Sequence, residues 1–446
     1  MDISAALAPF ADELVAVRRT LHAHPETGRD EVRTTALLVA RLRAAGLDPV
    51  PLPGTGLICD IQPSDIQPSD IQPSDVQPSD IQPSDVQPSD VRPGDVQPSD
   101  VRPGDVQPST PTPGPVHTIA LRADLDALPL PDETGTPWAS TVPGLAHACG
   151  HDVHTTVVLG AGLVLARLRN QGLLHCRVRL LFQPAEESTP GGALDVLAAG
   201  GLEGVDRILA LHCDPHLDTG LVGLRVGAIT SAADHVKIVL SGDGGHTSRP
   251  HLTGDLVFAL GQVITGLPAA LSRRLDPRAG VSLVWGRASA GGPYNAIPRT
   301  GEVEGTLRML DAGVWQRAGE LLAEVLEHVV GPFGVQAKLL HSRGVPPTVN
   351  DADAVALLES AVRTELGPQA AVPTEQSLGG EDFAWYLDTV PGALARLGTR
   401  VPGGATYDLH RGDFEPDESA IAVGVRALVA ASLLSPLVPA RPVADG

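Results

Sequence analysis

Thr118-Ile119-Ala120-Leu121-Arg122-Ala123-Asp124-Leu125-Asp126 reads as a short buried strand that ends in two carboxylates. The same placement recurs along the chain. An apolar run over 178–182 leads into Gln183-Pro184-Ala185-Glu186-Glu187, and another over 207–211 ends at His212. A fourth cluster, His147-Ala148-Cys149-Gly150-His151-Asp152-Val153-His154, immediately precedes a helical pattern over 157–168. In open α/β sheets ligands bind beyond the carboxyl ends of the strands, so these segments bring acidic, imidazole and thiol donors towards one edge.

Working outward, strand and helix patterns alternate, as in an α/β protein. Apolar residues at helical spacing (Leu7, Phe10, Leu14, Val17, Leu21) predict a helix over 4–21, and a second covers 34–47. The middle of the chain is rich in strand patterns (236–240, 281–285, 303–310), with a helix over 313–330. That change of texture predicts a small α+β unit over 230–345, inserted into an α/β domain made of 1–229 and 346–446.

Residues 61–110 form ten five-residue units, from Ile-Gln-Pro-Ser-Asp to Val-Arg-Pro-Gly-Asp. A proline in every unit removes a backbone donor and favours extended backbone. One Ile or Val per unit buries too little surface to offset ordering entropy, so a disordered or polyproline-like loop is expected. A pentapeptide β-helix is disfavoured because the prolines would break its ladder. Strand-like flanks at 56–60 and 116–121 suggest an enlarged hairpin loop.

The chain has 446 residues, 42% hydrophobic, with a formal net charge of −21. Nine Asp and two Arg in the repeat supply −7 of it. This acidity disfavours nucleic acid, whose phosphates need clustered Lys and Arg, and offers no attraction to an anionic membrane. No uninterrupted apolar run approaches the length of a membrane span, and Met1-Asp2-Ile3-Ser4 does not open a secretory signal. A cytoplasmic protein is expected. The four cysteines (Cys59, Cys149, Cys176, Cys213) are too scattered for a disulfide framework.

Taken singly, each donor has a plain structural explanation: a strand-end cap, a solvated helix start, a core histidine. Together, Cys, His and carboxylate match the donor set of zinc-type centres. One glycine separates Cys149 from His151, which lets both reach one ion. Adjacent Glu186 and Glu187 suit a division of labour in which one holds metal and the other moves a proton. A Cys/His nucleophile is the competing reading, but it leaves the glutamate pair unexplained.

These segments resemble the M20 metallopeptidase family, in its amidohydrolase branch of hippurate hydrolases, N-acyl-amino-acid amidohydrolases and auxin-conjugate hydrolases. The resemblance rests on Arg18-Arg19-Thr20-Leu21-His22-Ala23-His24-Pro25-Glu26, on the segments from Arg122 to Pro129 and His147 to Asp152, and on Gln183 to Glu187. It continues through Gly244-Gly245-His246, Pro250-His251, Asn295-Ala296-Ile297-Pro298, Gly305-Thr306-Leu307-Arg308, Gly380-Glu381-Asp382-Phe383 and Leu409-His410. It covers essentially everything but the repeat.

The resemblance implies a mixed-sheet, zinc-peptidase-like catalytic domain with an inserted α+β lid or dimerisation domain. It implies two divalent metal ions per subunit, Zn2+ or Mn2+, held by Cys149, His151, Glu187, His212 and His410, with Cys149 bridging. Glu186 would be the general base, and Asp126 would orient a ligand histidine. His246 would stabilise the oxyanion, in the partner subunit's site as the family pattern suggests. Asn295 and Arg308 would contact substrate, Arg308 through a carboxylate.

The expected function is hydrolysis of the amide bond in N-acyl amino acids or related conjugates, by a homodimer or higher homo-oligomer. A dipeptidase or aminoacylase of the same superfamily, and a non-catalytic conjugate-binding protein, are the alternatives. Three departures stand out. Arg411-Gly412-Asp413-Phe414 follows the last histidine, Ser248-Arg249 precedes Pro250, and Val153 replaces a usual glycine.

Overall fold

A computed structural model describes residues 2–64 and 117–435. Strands β1 (Val50–Pro51), β2 (Leu57–Ile61), β3 (Thr118–Asp124), β4 (Arg177–Gln183), β5 (Arg207–Asp218) and β6 (Val222–Leu224) come first in the chain. A second group follows: β7 (Ala232–Ser241), β8 (Ser282–Ala290), β9 (Thr300–Met309) and β10 (Gln336–Val345). The chain then returns with β11 (Ala371–Pro373) and β12 (Gly392–Arg400). The main sheet runs β1-β2-β4-β3-β5-β12-β6-β11 and is mixed, with a parallel centre (β4, β3, β5, β12) and antiparallel pairs on either side.

Alternation along the central strands divides the main sheet into two faces. Ile119, Leu121, Leu209, Leu211, Ala393 and Ala395 join the large core. Helices α1 (Ala11–Ala23), α2 (Val32–Ala44), α3 (His151–Asn170), α6 (Ala352–Leu366) and α7 (Ser419–Leu434) contribute to that same core. Residues of the other parity, Ala120, Ile208, Ala210 and Leu394, meet a smaller cluster with Phe383 and Tyr386. Arg122, Asp124, His212 and Arg396 share this second parity, so the chain's charged donors leave the sheet on one side.

The second sheet runs β8-β9-β7-β10, antiparallel throughout. Helices α4 (Leu256–Arg274) and α5 (Ala312–Val330) pack their apolar sides against it, through Leu260, Val263 and Leu267 from α4 and Leu322, Val325 and Leu326 from α5. Among the described residues α4 alone is long and apolar enough to cross a bilayer, by length and composition only. Its Gly261, Gly266 and Pro268 lower helix propensity, which is why the sequence pattern did not reveal it.

One local expectation fails. β2 and β3, which flank the repeat, do not form a hairpin, because β4 lies between them, antiparallel to β2 and parallel to β3. Ile61, the first residue of the repeat, is a fully buried strand residue, and Ser64 Oγ donates to the Arg169 carbonyl. The disorder expected for the repeat concerns residues that, from 65 onward, lie outside the described part.

Candidate metal centre

The cluster starting at His147 forms the entry to α3. Gly150 sits before the helix with φ +86°, and a Cβ there would meet Cys213 Sγ at 2.6 Å. Only glycine fits that close approach in left-handed backbone, and the turn places Cys149 and His151 on either side of it. Asp152 in the first helical turn takes Arg18 Nε at 2.8 Å and His22 Nδ1 at 2.8 Å, which fastens α1 to the site. Glu26 accepts the Arg33 and Thr34 amides of α2. The segment 18–26 thus braces the centre from outside.

The glutamate pair is set by a strained turn. Ala185 has φ +54°, and its amide is held by buried Glu31 Oε1 at 2.8 Å. Asp126 then accepts the Glu186 amide at 2.9 Å on one carboxylate oxygen and the Glu187 amide at 3.0 Å on the other. The two glutamates are fixed at their backbones while their carboxylates stay free to point elsewhere.

The donor atoms converge as two overlapping groups. Cys149 Sγ, one His151 ring nitrogen and one His212 ring nitrogen lie within 4.8 Å of one another, as do Cys149 Sγ, a Glu187 oxygen and a His410 nitrogen. Cys149 belongs to both. His151 Nδ1 faces the Asp126 carbonyl at 2.8 Å and His212 Nδ1 faces the Cys213 carbonyl at 2.8 Å. Each ring therefore donates from Nδ1 and presents Nε2, and His212 Nε2 stands 3.6 Å from Cys149 Sγ. His410 Nε2 lies 3.3 Å from Glu187 Oε1.

Two observations test whether metal ions suit these residues. His151 Nε2 is a buried polar atom without a hydrogen-bond partner, and buried Glu187 Oε1 has only the His410 ring beside it; both face this cluster. Such atoms are costly unless something binds them. The donor set of thiol, imidazole and carboxylate is also that of divalent zinc-type ions. The residues fit.

Electrostatics mark the same place. Burial pushes the Cys149 thiol up, the form that a cation would reverse. Burial, with His154 and Arg396 nearby, holds His212 well below the usual histidine range, so it is neutral. Burial opposes charge on His151, but Asp124 and Cys149 raise it well above its ordinary value. Burial and the carboxylates of Glu381, Asp382 and Glu187 raise Glu186 well above the carboxylate range.

A cavity of about 520 Å³ opens over the centre, lined by Cys149, Glu186, Glu187, His212, His410 and Arg308 among others. Arg308, on β9, donates to the Leu378 carbonyl and joins the second sheet to the loop before Glu381. His246 and Asn295 do not line this cavity. They are exposed on a small ladder where Gly245–His246 pairs with Ala296–Ile297.

Other residues matter more than the sequence pattern suggested. Asp124, for which no role was expected beyond ending its strand, accepts from His154 Nδ1 at 2.7 Å and from Arg122 at 2.7 Å. His154 Nε2 accepts the Cys213 amide, so both its nitrogens are used and it acts as a strut under the site. Arg122 also reaches Gln183, Glu381 and Asp382. The signal for Asp124 and His154 was present in the quoted motifs. None pointed to Arg396.

A mixed sheet with two donor groups that share one cysteine, and a glutamate beside them, defines a candidate metal-binding enzyme site. The profile of peptidase family M20/M25/M40 matches residues 120–433, and the chain belongs to that family. It is 44% identical over 423 residues to a Rhodococcus jostii protein named putative glutamate–cysteine ligase 2-3; the match covers 95% of this chain but only 46% of that protein. It is 32% identical over 416 residues to the N-acetyl-L-cysteine deacetylase of Bacillus subtilis, covering 93% of this chain and 86% of the other. Among solved structures, the Bacillus subtilis YXEP protein, described as a dinuclear metal binding peptidase from the M20 family, superposes with a TM-score of 0.76. The two share 29% identity, over 97% of this chain and 100% of that one.

Proposed function

We propose that this chain hydrolyses the amide bond of N-acyl amino acids or related conjugates. The observation that carries the reading is that Cys149 is common to two donor groups, with Glu186 beside them and Arg308 in the wall of the same cavity. Cys149, His151, Glu187, His212 and His410 would hold two divalent ions. When bound, the ions supply Lewis acidity towards the amide carbonyl and acidify water.

The residues do the rest. Glu186, held by Asp126 through its amide, takes the proton from the attacking water and returns it to the leaving amine. Its raised pKa suits a group that must both accept and give back a proton. Arg308 offers a guanidinium fork to the substrate carboxylate.

His246 accepts the Ser248 amide at Nδ1 (3.1 Å), which leaves its proton on Nε2, the form that donates to an oxyanion. Because His246 and Asn295 lie away from the cavity of their own chain, they would serve the site of a second copy in a homodimer or higher oligomer.

The test is a panel of N-acetyl, N-benzoyl and indole-acetyl amino acids plus dipeptides, with metal-loaded and metal-stripped protein. Metal-dependent release of the free amino acid from the N-acyl compounds is the expected result. Turnover no greater than in the stripped control would overturn the reading. Sedimentation at equilibrium tests the oligomer, and a monomer that retains full activity would remove His246 from the site.

A further inference from the structure

Arg396 lies in the wall of the cavity and has no part in the chemistry above. It projects from β12 on the sheet face that carries the donors, and its register partner on β5 is His212. On its other side Gly223 of β6 makes room, since a Cβ there would stand 3.2 Å from Arg396 Cβ. The arginine is 8% exposed. Arg122, at 1% exposed still more enclosed, is paired with three carboxylates; Arg396 has no ion pair or hydrogen bond among the described residues.

The guanidinium is held in an enclosed wall with no protein partner among the described residues and opens onto cavity space, so its donors are available to an anionic ligand group. Burial pulls its pKa down, against the opposing influence of Glu381, Asp214, Cys149 and Cys213. Its open side is also defined. Arg396 lines both the cavity over the metal centre and an adjoining one of about 510 Å³ that reaches Asp214, His216 and Thr374. It therefore stands where the two spaces meet.

Resting on the proposed amide hydrolysis, in which Arg308 takes one carboxylate, we infer that Arg396 is a specificity residue that seats a second carboxylate of the substrate. The preferred substrates are then dianionic amides. The second carboxylate has two chemical sources: the side chain of an acidic amino acid, as in N-acetylglutamate, or the far end of a dicarboxylic acyl group, as in N-succinylalanine. In either case the fixed fork of arginine donates to both carboxylate oxygens.

The experiment compares N-acetylglutamate, N-succinylalanine and N-acetylalanine on metal-loaded wild type, Arg396→Met and Arg396→Lys. Wild type is expected to favour at least one dianion over N-acetylalanine in kcat/KM. In Arg396→Met that preference falls on the order of 100-fold, mainly through KM, and Arg396→Lys restores part of it. Whichever dianion loses its preference identifies the source. Calorimetric binding of the three compounds to the same proteins is read independently of turnover. Absence of any turnover refutes the amide-hydrolase reading, while the binding preference still decides the role of Arg396. Equal treatment of monoanionic and dianionic compounds by wild type, or equal losses on all three in Arg396→Met, would overturn the inference. Circular dichroism of the variants separates misfolding from lost recognition.

Discussion

Arg122→Met is expected to be among the most damaging single changes in the protein, although Arg122 touches neither metal donors nor cavity. Its side chain is 1% exposed and gathers Asp124 at 2.7 Å, Asp382 at 2.7 Å, Glu381 at 3.1 Å and Gln183 Oε1 at 2.8 Å. Methionine would fill most of the volume but leave three buried carboxylates without their cation. Breaking a buried ion pair by removing one partner costs about 3–5 kcal/mol. Asp124 would keep His154, and Asp382 would keep Gln183 and the Ala193 amide, so a loss of about 3–5 kcal/mol is expected rather than a multiple of it. Against a usual total of roughly 5–15 kcal/mol, that is a large share.

The loss should also depend on pH. Burial and Glu381 already raise Asp382 to about 7 despite Arg122. A carboxyl whose folded pKa is raised stabilises the fold below its unfolded value and loses that contribution as pH rises through the folded value. Without Arg122 the raised group is further penalised when ionised, so the deficit should be larger at pH 8 than at pH 5. Urea unfolding of the metal-stripped wild type and variant at both pH values measures this directly. A deficit below about 1 kcal/mol, or one that grows towards low pH, would refute the account of Arg122 as the compensating charge.

Glu186→Gln should lower kcat by about 10²–10⁴-fold while metal content, read by plasma mass spectrometry, is unchanged; full activity would remove Glu186 as the base. Cys149→Ala should reduce bound metal below that of wild type, and an unchanged metal content would exclude the sulfur as a shared ligand. Gly150→Ala, which brings a Cβ to 2.6 Å from Cys213 Sγ at a positive φ, should destabilise the protein by about 1–3 kcal/mol and weaken metal retention together. All four cysteines are buried, with the Cys59 and Cys176 thiols pushed up to about 12 by burial. The native metal-stripped protein should therefore take up at most one equivalent of thiol reagent at pH 8 within minutes, at Cys149 in the cavity wall, and four equivalents after denaturation; rapid native labelling of more than one would contradict this packing.

Strands and helices carrying the donors were legible because their patterns are local: an apolar run announces β3, β4 and β5, and the next residues are the donors themselves. What lay beyond reach was lateral order. Nothing within 56–121 could reveal that β4, more than 50 residues later in the chain, inserts between β2 and β3 and cancels the hairpin. The same limit hid Arg396. In the strand Gly392–Arg400, parity along the chain shows that Leu394 and Arg396 share a face, but not which face bears the site. That follows only from the register opposite His212 on β5, a contact between residues 184 positions apart. His246 and Asn295 show the complementary case: their motif names suitable chemistry, yet their placement depends on how the second sheet stands over the first. Residue types therefore disclose the chemistry of a site, while strand register decides which of those residues share one cavity. A lone charged residue in a buried strand is accordingly informative only once its neighbours across the sheet are known.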